Sequence, residues 1–187
     1  QNSKIQAMIH WPNPDLMGTI SWSYFCNASY RPDLNLIFIG EGLPLDVALE
    51  ITGKPCNPFA GAFDIVTHEL VHGVTATTSN LRYWHESGAL NEAFSDILGV
   101  SAEFFHAAKG SGLPYPVNYQ LGETISPGYP SRDLADPASV FSYNRNGVKA
   151  FSKPNHYASR WLPTDDESPQ DNGWVHINSS IVNHAFY

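Results

Sequence analysis

FDIVTHELVHGVTAT, residues 63–77, is the stretch around which the rest of the chain organises itself. It has helical length. Asp64 stands near its start, where the positive end of the helix dipole favours a carboxylate. Within it, His68 and His72 are four residues apart, so on a helix they lie on one face. Glu69 follows His68 directly, and the run 68–72 is H-E-x-x-H. Two imidazoles at this spacing can reach one zinc ion at about 2.0–2.1 Å. A carboxylate beside that metal can take a proton from a water molecule.

A catalytic zinc commonly has three protein ligands and one open position. The extended form of the motif would need a glycine at position 75 and a third histidine at 78, where the chain has Thr75 and Thr78. The third ligand is therefore sought on a second helix. Ser87 to Lys109 reads as one, with Leu90, Phe94, Ile97 and Leu98 at helical spacings and Gly110 and Gly112 beyond its end. Glu92 and Asp96 lie on one face of it. Glu92 is the candidate third ligand, and Asp96 can accept the outer N–H of a ligating histidine.

Working outward, the first third of the chain reads as strands and turns. Met17 to Cys26 is loosely alternating and aromatic, and Leu34 to Gly40 is a short apolar run closed by glycine. Gly110 to Asn172 reads as loop-rich, with many Pro, Ser and Asp. Trp174 to Tyr187 reads as a third helix. The 187 residues allow one large domain or two lobes sharing a core. At 42% hydrophobic and only 15% charged, the chain is not of disordered composition. Ten basic residues against 18 acidic ones, with no basic cluster, argue against nucleic acid as a partner. No apolar run is long enough to span a membrane. Cys26 and Cys56 are either one bridge or two buried thiols, and their spacing does not separate these. The chain begins at Gln1 without a charged-then-apolar leader, which reads as a processed product or a piece of a longer chain.

Three longer motifs carry a resemblance: DIVTHELVHGVT at 64–75, SGALNEAFSDILG at 87–99 and DNGWVHINSSIVNHAFY at 171–187. Weaker ones are CNASY at 26–30, SRDLADPAS at 131–139 and PNHYASRW at 154–161. Together they resemble the thermolysin-type neutral zinc metalloproteases, a family whose two-histidine, one-glutamate zinc site is a standard example of the class.

The resemblance implies an α+β fold. Residues 1–62 would form a β-rich N-terminal lobe, incomplete here. Residues 63–187 would hold the zinc helix and a mainly helical lobe lacking its C-terminal part. A zinc cleft would lie between the lobes, bridged by that helix. It implies His68, His72 and Glu92 as ligands of one zinc, Glu69 as general base and Asp96 as support to a ligand. Tyr83 and His176 fall in the places of groups that stabilise the transition state. Asp171 falls where the carboxylate orienting that histidine stands, and Arg132 where an arginine binds the substrate carbonyl. Asn27 and the Ala28 backbone match groups that bind substrate main chain. Phe59, Ile65 and Leu121 match an apolar pocket for a bulky residue after the scissile bond, although Cys56 and Ser131 stand where that pocket is usually walled by large apolar residues. A Cys26–Cys56 bridge near the cleft stays open.

Asp64, Glu103 and Glu123 match calcium ligands. Asn118 stands where the family often has Asp, so one calcium is implied rather than two. The resemblance further implies a secreted endopeptidase, monomeric at full length, with peptide or protein substrates and a propeptide inhibitor. The alternative is an inactive or truncated zinc-binding relative acting as a binding domain.

Overall fold

The computed structural model describes residues 4–9, 26–110, 112–143, 149–163 and 170–187. The stretch expected as a strand from Met17 lies outside these residues up to Cys26. The described part of the N-terminal third builds a three-stranded sheet of β1 (Gln6–Ile9), β2 (Ala28–Arg31) and β3 (Leu36–Ile39). β3, the apolar run expected as a strand, is central, parallel to β1 and antiparallel to β2. Ile37 and Ile39 alternate into the core, as a strand with one covered face requires. β2 is left at the sheet edge.

The reading of this third as strands and turns alone is corrected by α1 (Leu45–Thr52). Its boundaries carry signals: Pro44 caps the start and Gly53 closes the end at φ 74°, the left-handed position where glycine is favoured. Eight residues with only Ala48 buried leave too short a periodic pattern to stand out. The structure joins Cys26 to Cys56 in a disulfide, which ties the start of β2 to the loop after α1.

The expected first and second helices form as α2 (Phe63–Thr77) and α3 (His85–Ala108), and they pack extensively on each other. Small residues permit this. A Cβ on Gly99 would sit 2.7 Å from the Asp64 carbonyl oxygen, so the two backbones approach too closely there for any side chain. α3 packs equally extensively on α4 (Asp171–Phe186). Asp171, Asn172, Gly173 and Trp174 at its start have φ of 50°, 50°, 91° and 63°, so regular helix begins only beyond them, close to the expected Trp174.

The region expected to be loop-rich also contains two small sheets, which local pattern does not reveal. β4 (Gln120–Leu121) pairs with β5 (Arg132–Asp133), and β6 (Phe141–Tyr143) with β7 (Lys149–Ser152). One hydrophobic core links Ile37, Ile39, Ala48 and Phe59 with Ile65, Val100, Leu121 and Leu134. The architecture is α+β. No helix among the described residues is long and apolar enough to cross a membrane.

Candidate metal centre

α2 presents His68 and His72 on one face, and α3 brings Glu92 against it. The two histidine Nε2 atoms are 3.0 Å apart. His68 Nε2 lies 3.5 Å from Glu92 Oε2, and His72 Nε2 lies 3.3 Å from Oε1. A tetrahedral centre with bonds near 2.05 Å separates its ligand atoms by about 3.3 Å, so the observed spacings bracket what a zinc ion requires. Among the described residues this is the set of three His, Cys, Asp or Glu side chains whose ligand atoms all fall within 4.8 Å of one another. Glu92 is fully buried.

The outer ring nitrogens are held from α3. Asp96 Oδ1 lies 2.8 Å from His68 Nδ1. Asn91 Oδ1 lies 2.8 Å from His72 Nδ1, with Ser95 Oγ at 3.2 Å. Each contact leaves Nε2 free to face the cluster, which is how supporting groups orient ligating imidazoles. Burial alone would lower the basicity of His72, but its hydrogen bond to Glu92 and the charge of that carboxylate push its pKa up to about 9. Burial would likewise raise Glu92, yet the positive charge at His176 and the bond from His72 hold it well below the usual carboxylate range. Glu69 is buried on α2 beside His68, and its charge is felt at His72.

Three further groups, Tyr83, His176 and Arg132, close on Glu92 and Asp96, and Asp171 holds one of them. Tyr83, two residues before α3, donates its hydroxyl to Glu92 Oε1 and lies 3.0 Å from His176 Nε2. Burial and the Glu92 charge raise the pKa of that phenol, so it stays protonated and able to donate. Asp171 grips His176 twice, at Nδ1 over 2.5 Å and at the backbone N–H over 3.0 Å. The left-handed residues at the start of α4 make this possible, because they turn Asp171 back towards its own helix. A Cβ on Gly173 would meet the His85 ring at 2.6 Å, so that turn needs glycine on two counts. Arg132, on β5 and buried, sets Nε 2.6 Å from Asp96 Oδ2 and Nη2 3.7 Å from Glu92 Oε2.

Asn27 is exposed and Ala28 half-buried, and among the described residues β2 is an edge strand of the sheet. Phe59, Ile65 and Leu121 sit in the hydrophobic core, with Leu121 wholly buried. Asp64, Glu103 and Glu123 are not drawn into a set of the metal-centre kind. Asp64 accepts from the N–H groups of Ile65 and Gly122 at 2.8 and 2.6 Å. Glu103 accepts from the Tyr115 hydroxyl at 2.8 Å. Glu103 Oε2 and both Glu123 carboxylate oxygens have no hydrogen-bond partner. Burial, reinforced by Asp64 and Glu123 and opposed by Tyr115, pushes the Glu103 pKa up to about 7.

Sequence reasoning missed three groups. Asn91 holds His72, and only its adjacency to Glu92 pointed to it. Asn183 donates to Asp96 Oδ2 at 2.7 Å, about two α4 turns beyond His176. Lys153 is buried beyond β7 and donates to the Ser131 carbonyl. Neither of the last two carries a spacing signal.

Comparison with known proteins places the chain in a family. Residues 79–187 match the family model described as thermolysin metallopeptidase, alpha-helical domain. Bacillolysin of Bacillus caldolyticus is 40% identical over 139 residues, covering 72% of this chain and 21% of its own length. Thermolysin of Alicyclobacillus acidocaldarius subsp. acidocaldarius gives the same identity and coverage. The chain thus spans about a fifth of the length of these relatives. Among solved structures, the precursor of protealysin, a metalloproteinase from Serratia proteamaculans, superposes with a TM-score of 0.66 at 28% identity, covering 88% of this chain and 46% of that one.

Proposed function

The chain belongs to the thermolysin metallopeptidase family, and from that premise we propose that it is the catalytic part of a secreted zinc endopeptidase. The observation that carries this reading is the convergence of His68, His72 and Glu92 on one point, with their outer atoms held. These three residues would hold the zinc, which when bound lowers the pKa of a coordinated water to about 7 and polarises a carbonyl.

The chain's own groups then have separate tasks. Glu69 accepts the proton from the attacking water and passes it towards the leaving nitrogen. Tyr83 and His176 donate to the oxygen that becomes negative as the carbonyl carbon turns tetrahedral. Asp171 fixes the tautomer and direction of His176. Arg132 donates to a substrate carbonyl while bracing Asp96. Asn27, just before β2, and Ala28, at its start, receive the substrate main chain as an added strand. Phe59 and Ile65 supply the apolar wall that favours a bulky residue after the scissile bond, and Leu121, wholly buried, packs in the core with them.

A single calcium is proposed at Asp64, Glu103 and Glu123. Three unpartnered carboxylate oxygens suit a hard cation, but calcium takes 6–8 oxygens, so the site would be weak. The disulfide fits an oxidising compartment, and a propeptide that covers the cleft is the natural inhibitor to look for.

The test is hydrolysis of a quenched peptide carrying Leu or Phe after the scissile bond. We expect cleavage that 1,10-phenanthroline abolishes and added zinc restores. Glu69→Ala should lower it about 100- to 10,000-fold while zinc still binds. A chain that binds one zinc and cleaves nothing would overturn the reading in favour of a binding role.

A further inference from the structure

Lys153 follows β7 and is 7% exposed. An ammonium has three donors, and here one of them meets the Ser131 carbonyl at 2.5 Å. Among the described residues no carboxylate lies within ion-pairing distance of it. A buried, unpaired cation is costly to maintain. Burial and then the Arg132 charge pull its pKa down to about 7, against the opposing pull of Asp96, Glu92 and Asp171.

The lysine is also the buried wall of a cavity. Ser152, Asn155, Ser159 and Trp161 line the same space, of about 460 Å³. No acid lines it. The frame of the cavity is shared with the metal centre. Ser131 precedes Arg132, which contacts Asp96 and Glu92. Pro154 accepts a hydrogen bond from Ser180 on α4, the helix that carries His176. Asn178, on the same helix, clasps the backbone of Trp161 at both N–H and carbonyl, at 2.8 and 2.9 Å. The walls are thus fixed by the elements that position the catalytic groups.

We propose that this cavity is a substrate subsite for a peptide carboxylate, with Lys153 as its counter-ion. An anion supplies the partner that the fold withholds, and Ser152, Ser159 and Asn155 add neutral donors. A carboxylate reaches it from either of two sources, an acidic side chain near the scissile bond or the free C-terminus of a short substrate. The proposal rests on the peptidase reading, and it adds a charge preference to a pocket system otherwise apolar. The preference strengthens below about pH 7, where the ammonium is charged before any anion arrives.

The test uses a peptide series with one Glu or Gln moved through the positions flanking a Leu, and each peptide as free acid and as amide. At one position, kcat/KM for Glu should exceed that for Gln by about tenfold or more at pH 6.5, the scale of a charge-assisted bond. A preference that follows the free acid instead identifies the terminal carboxylate as the source. Lys153→Met should bring the ratio near one, and Lys153→Arg should keep it. Equal ratios in wild type and Lys153→Met at every position overturn the proposal. If the wild type cleaves no peptide at all, the peptidase reading has failed, and calorimetry with N-acetylglutamate α-amide decides the subsite separately. Binding to wild type that Lys153→Met abolishes supports it, and no binding to the folded wild type overturns it.

Discussion

The face of α3 turned into the protein carries Asn91, Glu92, Ser95, Asp96 and Glu103, all buried. The face turned outward carries Leu90, Phe94, Leu98 and Phe105, all exposed. An ordinary surface helix has this the other way round. Inside, the acids survive burial because each has been given compensation. Glu92 has His68, His72, Tyr83 and Arg132, and Asp96 has His68, Arg132 and Asn183. Ala89, Ala93 and Gly99 between them keep the helix close to its neighbours. Outside, Phe105 has the Lys109 ammonium 5.5 Å from its ring centre, while Leu90, Phe94 and Leu98 stand exposed. Stability in α3 therefore depends on charge neutralisation on one face, while its apolar stripe contributes little to holding this chain together. Substitutions on the two faces should differ accordingly.

Glu92→Ala should be the most damaging. It strips a carboxylate from a buried cluster of cationic and donor groups, and breaking a buried pair costs about 3–5 kcal/mol. Urea denaturation should show that loss, and metal analysis should show no stoichiometric zinc. Asp96→Asn keeps shape and removes charge. Zinc affinity, measured by chelator competition, should fall about 10- to 100-fold. Gly99→Ala forces a methyl against the Asp64 carbonyl and should cost about 1–3 kcal/mol in the same denaturation assay.

Glu103 gives the inner face a pH dependence of definite sign. Its folded pKa of about 7 lies above its usual 4.5. As pH rises, the unfolded chain therefore ionises first, and stability should fall between about pH 4.5 and 7 and then level. Melting curves across that range check it. Millimolar calcium should raise the melting temperature more at pH 8 than at pH 6. The smallest effect belongs outside. Phe94→Ser and Leu98→Ser should leave stability within about 0.5 kcal/mol and reduce light scattering by concentrated protein. A loss of several kcal/mol there would break the comparison, because it would mean the outer stripe is covered.

Some of this was legible from residues 63–99 alone. His68, His72, Glu92 and Asp96 sit at four-residue separations, and a helix turns that spacing into a shared face without help from the rest of the fold. Tyr83, Arg132, Asp171 and His176 carried no such spacing. The family resemblance singled them out, and in the structure Tyr83, Arg132 and His176 lie against Glu92 or Asp96 while Asp171 holds His176. The strands β4 to β7, two to four residues each, depend on pairing across the fold rather than on local pattern. α1 was hidden by its brevity. Lys153 and Asn183 acquire meaning only through what tertiary packing puts beside them. The cysteine pair was undecidable from spacing, because bridging depends on where β2 and the loop after α1 come to rest.

That bridge affects how the molecule would age. Cys26 and Cys56 enclose β2, β3 and α1, including the exposed Leu45, Leu49 and Ile51. Where a protease is present, such accessible stretches are nicked first. One cut anywhere between residues 27 and 55 would still leave a single covalent molecule, with the edge strand tethered near its place. Such damage would be invisible by mass on a non-reducing gel and would appear as two fragments once a thiol is added.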